Sequence, residues 1–424
     1  MRRSSLLPSP RLGFGIVLIL VLVGWAVFHF ATPDRSSPLR TSLTVADVMG
    51  GEAVAGYARA TEPRPFLFPD DHGPDPEFRT EWWYLTGNLE GPEGEPYGFQ
   101  FTLFRSAVDP APPSSSSAWA SNQVFMGHFA VTDGRGRTFH AFERFSRQAL
   151  GLAGATASPL RVWLEDWELR ETGGAGGLPP GGDAAASGSA SPAGPGGASD
   201  VFPLTLSAAE GEVALELEIS PLKPMVLQGD EGLSQKGAEP GNASSYSSFT
   251  RLGARGRLSL GGRERPVTGT AWMDREWSTS ALSQGQVGWD WFALQLDDGR
   301  ELMYYQLRLA DGTPDPLSKG VLVGPADTRL LSSSEVELTI LERWTSPLDG
   351  TEYPGAWRLR VPDQELELEI RPLIPNQELE LTFRYWEGAV VVRGAQAGEP
   401  LSGRGYAELT GYAENEQTRS MRRR

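Results

Sequence analysis

The sequence contains no cysteine among its 424 residues. The absence of Cys excludes a disulfide framework, a lipoprotein anchor and any Cys-ligated metal. Only 4 His are present, without an HExxH motif or a spaced His cluster, so we expect no metal site and no cofactor. Basic residues are also fewer than acidic ones, with 38 Lys and Arg against 54 Asp and Glu. The formal net charge of -16 argues against nucleic acid as a partner and against electrostatic adhesion to anionic lipid.

One long apolar run stands near the N-terminus. Leu12 to Ala31 contains no Lys, Arg, Asp or Glu and is long enough to cross a bilayer as a transmembrane helix. Because Arg2, Arg3 and Arg11 precede it, the positive-inside rule keeps residues 1–11 in the cytoplasm. A cleaved signal peptide is the alternative, but the run lacks the small-x-small cleavage pattern. We therefore expect a single-pass anchor in the inner (cytoplasmic) membrane of a bacterium, with most of the chain in the periplasm.

The remaining chain is long enough for two ordinary domains. We expect a linker over 32–64, a first domain over 65–279, a second domain over 280–415 and a basic tail over 416–424. The first domain contains an insertion at 173–199 that is rich in Gly, Ala, Ser and Pro. Such a composition buries too little apolar surface to order itself, so we expect the insertion to be disordered.

Strand patterns dominate both predicted domains. Apolar and polar residues alternate over Val213–Ile219 and Leu366–Ile370, which is typical of strands with one face in water. Turn pairs such as Gly261-Gly262 and Asp298-Gly299 separate neighbouring runs. The fold class is therefore all-β, with antiparallel barrels or sandwiches.

Large aromatic rings alternate with carboxylates in several stretches. Trp272–Trp277 reads Trp-Met-Asp-Arg-Glu-Trp, and Trp289–Phe292 follows it closely. An earlier stretch, Glu81–Tyr84, opens a hairpin much as Trp289–Phe292 does, which suggests two barrels of related construction. Rings that shield a carboxyl group from water raise its pKa. The pattern indicates an apolar-ligand site with a few polar anchors.

Eight motifs, in order, resemble the carotenoid 1,2-hydratase-like family, which includes the AttH component of AttEFGH-type ABC transport systems. They are FPDDHGPDPEFRTEWWYLTGNL, YGFQFTLFR, MGHFAVTD, YSSFTRL, GTAWMDREWS, GWDWFALQLDDGRELM, YWEGAVVV and GRGYAELTGY, between about Phe66 and Tyr412. The resemblance implies two lipocalin-like β-barrels. It also implies either hydration of the ψ-end of acyclic carotenoids or a role beside an ABC-type permease.

The resemblance also implies site residues. The hydratases' essential Asp lies in an aromatic-x-Asp element that Trp272 to Asp274 matches, so Asp274 is the candidate acid and Tyr246 could position the water. A neutral carboxylic acid in an apolar pocket can protonate an alkene, and indole faces can stabilise the resulting cation. The expected ligand-binding residues are Trp82, Trp83, Tyr84, His128, Trp272, Glu276, Trp277, Trp289 and Trp291.

Two properties of Asp274 have opposite effects on its pKa, because burial raises it and pairing with the adjacent Arg275 lowers it. The hydratases carry a His shortly upstream of this Asp, and the stretch Ser244–Phe249 contains none. We therefore favour pairing with Arg275, either in a binding site without turnover or in an ordinary ion-pair cluster where two barrels meet.

Other polar residues are expected to support the structure. Asp71, His72, Arg79 and Glu81 are predicted to brace the loop that leads into the first barrel. His128 is expected to be a satisfied interior residue that could also face the cavity.

The sequence favours the first of three functions, and the second and third are alternatives to it. The first is binding of a large isoprenoid or lipid-like ligand, as an accessory to an ABC transport system. The second is a cofactor-independent hydro-lyase that uses an Asp acid. The third is a structural partner of an ABC permease, whose barrels are filled by their own side chains.

Overall fold

The computed structural model describes residues 55–172, 197–279, 282–283, 285–325 and 327–413. The predicted anchor, most of the predicted insertion and the basic tail lie outside these residues. All described residues belong to one compact unit. No helix within the described ranges is long and apolar enough to cross a membrane.

The first sheet is assembled from the N-terminal half of the described chain. A 3-10 helix, Asp70–His72, precedes it. Its strands are Thr80–Glu90 (β1), Pro96–Ala107 (β2), Gln123–Asp133 (β3), Thr138–Arg147 (β4), Ala153–Ala157 (β5), Leu160–Leu164 (β6), Trp167–Glu171 (β7), Leu204–Glu210 (β8), Val213–Pro221 (β9), Val226–Leu227 (β10), Leu233–Gln235 (β11), Ala243–Leu260 (β12) and Arg263–Ser278 (β13).

The second sheet follows in sequence and includes a second 3-10 helix, Pro362–Gln364. Its strands are Gln286–Leu296 (β14), Glu301–Leu309 (β15), Lys319–Val323 (β16), Thr328–Ser332 (β17), Glu337–Thr345 (β18), Glu352–Val361 (β19), Leu366–Pro372 (β20), Glu378–Glu380 (β21), Arg384–Gln396 (β22) and Glu399–Leu409 (β23).

Both sheets are antiparallel and curl around their own cores. The first runs in the order β4-β3-β2-β1-β13-β12-β9-β8-β7-β6-β5, and the second in the order β17-β16-β15-β14-β23-β22-β20-β19-β18. The short strands β10 and β11 pair with β12, and β21 pairs with β22. The all-β class and the antiparallel pairing expected from the sequence are confirmed. The domain limits at 279 and 280 stay predictions.

Turn chemistry fixes the longest hairpin. Gly261 and Gly262 join β12 to β13 with φ values of 58° and 71°. Left-handed conformations at both turn positions match the twist of a two-residue hairpin, and Gly adopts them without steric cost. The register set by this turn continues along β13 as far as Ser278, which pairs with Ser244, across one bulge between Phe249 and Leu252.

Alternation along the central strands divides their side chains between two environments. In β13, Met273 belongs to the core of the first sheet, whereas Trp272 joins an aromatic cluster shared with the second sheet. In β14, Phe292 belongs to the second core and Trp291 joins the shared cluster. Because successive strand residues point to opposite faces, each central strand contributes to its own core and to the contact between the sheets.

Candidate functional site

A cavity lies between the two sheets, against the faces turned away from the two cores. Its volume is about 920 Å³ when its open mouth is included. Its lining is mainly aromatic, with several carboxyl groups and one Lys. The lining residues are Trp82, Tyr84, Thr102, Phe104, Lys236, Tyr246, Asp274, Glu276, Ser278, Leu282, Trp289, Trp291, Tyr305, Leu307, Tyr385, Glu387 and Glu408.

Three adjacent strands of the first sheet form one wall. Tyr84 of β1 is opposite Asp274 of β13, which is opposite Ser248 of β12. Two residues further along each strand, Trp82 is opposite Glu276, which is opposite Tyr246. Side chains opposite one another on antiparallel strands share a face. The wall is therefore set by strand register.

The second sheet forms the facing wall in the same way. Tyr305 of β15 is opposite Trp291 of β14, which is opposite Glu408 of β23, which is opposite Glu387 of β22. The two Trp-rich strands that resemble each other in sequence, β1 and β14, occupy corresponding places, each between the next strand in sequence and the last long strand of its sheet.

Asp274 is the most extensively hydrogen-bonded acid of the cavity. Its side chain accepts hydrogen bonds from the Tyr246 hydroxyl at 2.6 Å on Oδ2, and from the Ser248 hydroxyl at 2.5 Å and the Trp272 indole at 2.6 Å on Oδ1. The residue is only 3% exposed. Three donors hold the carboxyl group in one orientation at the cavity wall.

Burial prevails over these donors in setting the protonation of Asp274. Desolvation raises its pKa from 3.8 to about 7, although the hydrogen bonds from Ser248, Tyr246 and Trp272 act in the opposite direction. The negative charge of Glu276 adds to the rise. Asp274 therefore holds a proton in a large fraction of molecules at neutral pH.

The expected pairing of Asp274 with Arg275 is wrong. Consecutive residues of a strand point to opposite faces, and Arg275 lies on the side of the first core. There its guanidinium forms an ion pair with the buried Glu81 and stacks 4.1 Å from the ring of Trp83. Glu81 also pairs with Arg105, so the structural ion-pair cluster is separate from the cavity.

Lys236 is the cation among the cavity-lining residues. It forms an ion pair with Glu276, and its ammonium lies 5.6 Å from the ring of Trp82 and 5.8 Å from that of Tyr246. The charge of Glu276 is thereby compensated. Among the described residues that line the cavity, the wall formed by the second sheet includes no Lys or Arg.

Glu387 and Glu408 are the acids of that other wall. Glu387 is 1% exposed and accepts a hydrogen bond from the Tyr84 hydroxyl at 2.6 Å, across the two sheets. Burial, followed by the charge of Glu408, raises the pKa of Glu387 well above its usual range. Burial also raises the pKa of Glu408, while a hydrogen bond from Trp289 lowers it. Both groups therefore favour the neutral acid at neutral pH.

Seven of the residues predicted for the site come together at the cavity: Trp82, Tyr84, Tyr246, Asp274, Glu276, Trp289 and Trp291. Trp83 and Trp277 do not line it, because alternation places them on the opposite face, against Arg275. Trp272 shares a face of β13 with Asp274 but is not among the lining residues, and it contacts the Trp291 ring edge-on at 6.4 Å. Ligand contact by these three Trp is therefore not supported.

His128 lies opposite Thr102 on the cavity side of the first sheet, but it is not among the lining residues. Its ring nitrogens hydrogen-bond the Tyr385 hydroxyl at 2.8 Å and the Glu143 carboxylate at 3.1 Å. Tyr385 belongs to the second sheet and lines the cavity, so His128 joins the two sheets and orients a cavity residue. Direct ligand contact by His128, which the sequence left open, is not supported by this position.

The segment before β1 is tied to the first sheet. Asp71 forms an ion pair with Arg64 at 2.8 Å and accepts a hydrogen bond from the backbone of Leu67 at 2.6 Å. His72 is buried, and its ring hydrogen-bonds the Ala198 carbonyl at 2.7 Å. Desolvation lowers the pKa of His72 to about 4, so the ring is neutral.

Arg79 and Glu81 continue this arrangement at the start of β1. The backbone amide of Arg79 donates to the Thr279 hydroxyl at 3.2 Å. Glu81 accepts from the backbone amide of Asp75 at 3.0 Å in addition to its ion pairs. These contacts lie outside the cavity lining and hold the chain that leads into the first sheet.

Glu387, Glu408, Lys236, Tyr305 and Tyr385 line the cavity but are not identified as site residues by the sequence. The sequence contains a signal for the two Glu, because each lies within a short run of aromatic and apolar residues, in YWEGAVVV and in GRGYAELTGY. Both strings contribute to the family resemblance. The described part of the chain contains no cluster of three or more His, Cys, Asp or Glu arranged to hold a metal.

Comparisons of sequence and of structure both relate this chain to AttH-like proteins. The profile of the AttH-like family matches residues 59–412. The crystal structure of an AttH-like protein from Nitrosomonas europaea is 32% identical, with a TM-score of 0.68 over 84% of this chain and 100% of that one. Kievitone hydratase from Nectria haematococca has the same fold, with 14% identity and a TM-score of 0.59 over 84% and 95% of the two chains. No curated protein sequence matches significantly.

Proposed function

This chain belongs to the AttH-like family, and from that premise we propose that it binds an isoprenoid or lipid-like ligand between its two sheets and adds water across one of the ligand's double bonds. The observation that carries the proposal is the position of Asp274, an acid with a pKa near 7 at the wall of an aromatic cavity. A general acid is most effective when its pKa lies near the working pH.

The hydrogen bonds locate the transferable proton. An indole N–H can only donate, so Oδ1 of Asp274 must remain an acceptor for Trp272. The acidic proton therefore belongs on Oδ2, facing the Tyr246 hydroxyl at 2.6 Å. Tyr246 can accept it and present its own proton to the cavity, because a hydroxyl both donates and accepts. Tyr246 is then the group that contacts the ligand.

The proposed reaction is balanced without a cofactor. A proton passes from Asp274 through Tyr246 to one alkene carbon, and the cation left on the other carbon faces the indoles of Trp289 and Trp291. Water bonds to that cation and loses a proton, which returns through Tyr246 to the Asp274 carboxylate. The net change is the addition of one water to the ligand.

The test is incubation of the full-length protein with an acyclic carotenoid in water enriched in oxygen-18. We expect a product heavier by one labelled water, detected by mass spectrometry. Recovery of unchanged carotenoid bound to the protein would instead support the second candidate, ligand carriage without turnover. That candidate is favoured by one observation: no His stands among the described residues that line the cavity.

We also propose that the body is held at the outer side of the inner membrane, where it could exchange ligand with the bilayer or with an ABC permease. The support is the uncharged apolar run from Leu12 to Ala31 behind basic residues. The full-length protein should sediment with membranes and be digested by protease added to spheroplasts. A mature N-terminus located after Ala31 by peptide mapping would contradict the anchor.

A further inference from the structure

The cavity wall formed by the second sheet contains an unsatisfied acid. Oε1 of Glu387 accepts from Tyr84, whereas Oε2 is buried and makes no hydrogen bond of normal geometry. The Tyr385 hydroxyl lies close enough to lower the pKa of Glu387. A buried carboxyl oxygen without a full partner is costly, so the group is suited to a partner that the protein does not itself supply.

The charges around this acid are unbalanced. Glu408 is its cross-strand neighbour, and Asp274 lies on the facing wall. Lys236 is already paired with Glu276, and its charge lowers the pKa of Glu408 but is not among the causes that shift the pKa of Glu387. Ionised together, the cavity acids would repel one another, and a cation placed among them would remove that repulsion.

Aromatic rings surround the same space. Tyr84, Trp289, Trp291, Tyr305 and Tyr385 all line it, with Tyr84 and Trp291 in edge-on contact at 5.3 Å. Ring faces attract organic cations, and cages of aromatic rings with nearby acids recognise alkylated ammonium groups. Rings and acids together have the chemistry of such a cage.

From this arrangement we infer that the ligand of the cavity carries a positive charge, as a hydrophobic amine or quaternary ammonium whose cationic centre lies beside Glu387 and Glu408. The inference rests on the proposed function in one respect, namely that this cavity is the ligand site. It adds the charge of the ligand to the apolar character expected from the sequence.

Binding of a cation should depend on pH. The titratable or charged groups that face Glu387 are Tyr385 on its own strand, Tyr406 and Glu408 on β23, Tyr84 on β1, Asp274 and Glu276 on β13 and Lys236. His128 and Glu143 continue from Tyr385 through hydrogen bonds. The acids are largely neutral at low pH and must release protons to balance a bound cation. Affinity should therefore rise with pH.

The experiment compares three small probes with one aromatic group each: benzyltrimethylammonium, benzyl alcohol and phenylacetate. The affinity of each probe for the full-length protein in nanodiscs is measured by isothermal titration calorimetry at pH 6 and pH 9. We expect the ammonium to bind about tenfold more tightly than the alcohol at pH 9, and phenylacetate to bind most weakly. The preference for the ammonium should fall several-fold at pH 6.

Variants distinguish binding of the ammonium in the cavity from binding to acidic residues elsewhere on the protein. Glu387→Gln and Glu408→Gln should each remove most of the preference for the ammonium, whereas Lys236→Met should increase it. Glu337→Gln is the matched control, because Glu337 has 55% of its side chain exposed and lies on β18, outside the lining. If one Glu variant fails to fold, the other and Lys236→Met still test the inference.

The outcomes are distinct. Equal binding of the ammonium and the alcohol by the wild-type protein would overturn the inference and leave the apolar site in place. Unchanged ammonium affinity in both Glu387→Gln and Glu408→Gln would also overturn it. Failure of all three probes to bind would count against the cavity as a ligand site, and thus against the proposed function as well.

Discussion

Replacing Asp274 by Asn is expected to lower the rate of ligand hydration by about 100-fold to 10,000-fold, the usual contribution of a general acid, while the protein stays folded. The fold should persist because an Asn oxygen can accept from Trp272 and Ser248, and its amide can donate to the Tyr246 oxygen. Rates would be measured under saturating ligand, with circular dichroism as the check on folding.

Two variants serve as comparisons for Asp274→Asn. Tyr246→Phe removes the hydroxyl proposed to pass the proton and should be nearly as inactive. Ser248→Ala removes a donor that lowers the pKa of Asp274, so it should keep activity and shift the pH profile upward. Wild-type turnover in a stably folded Asp274→Asn protein would mean that another group supplies the proton.

The stability of the same variant should change with pH in a definite direction. The pKa of Asp274 is about 7 in the folded protein and 3.8 ordinarily, so across this window the folded state binds the extra proton. Stability from this group is present at low pH and is lost as pH rises towards 7. The Asn variant does not lose this stability as pH rises. The thermal midpoint of the variant minus that of the wild type should therefore increase from pH 5 to pH 8.

Replacing Glu81 by Gln is expected to have the largest effect on stability. Glu81 is 0% exposed and compensates the guanidinium groups of both Arg105 and Arg275. Removing one partner from a buried ion-pair group leaves uncompensated charge and costs about 3 to 5 kcal/mol. Urea unfolding followed by Trp fluorescence would measure the loss.

A matched exposed pair provides the control for Glu81→Gln. Glu337 pairs with Arg360 at 2.8 Å, with roughly half of each side chain exposed. Glu337→Gln should cost at most about 1 kcal/mol, as for other surface pairs. Equal free energies of unfolding for Glu81→Gln and Glu337→Gln would show that the buried cluster contributes no more than a surface pair.

Much of the fold could be predicted because its determinants are local. The alternation over Val213–Ile219 and Leu366–Ile370 is found in β9 and β20, and Gly261-Gly262 forms the hairpin between β12 and β13. The same local alternation could have shown that Asp274 does not pair with Arg275. Residues 274 and 275 of one strand face opposite ways, so their proximity in sequence argues against a direct ion pair.

The composition of the cavity could not be predicted in the same way. Glu387 and Glu408 lie more than a hundred positions after Asp274, and Tyr84 reaches Glu387 across 303 positions. Their meeting depends on how two curled sheets pack, which strand patterns do not specify. Alternation identifies the residues that share a face with Asp274, but it does not identify the facing wall.

The most direct measurement is an infrared titration of Asp274. The difference between wild-type and Asp274→Asn spectra isolates the carboxyl stretch of this residue in the full-length protein. Because burial outweighs the three hydrogen bonds, the protonated band should disappear with a midpoint near pH 7. A midpoint near the ordinary value of 3.8 would mean that Asp274 is a hydrated or paired carboxylate, and it would contradict the proposed acid.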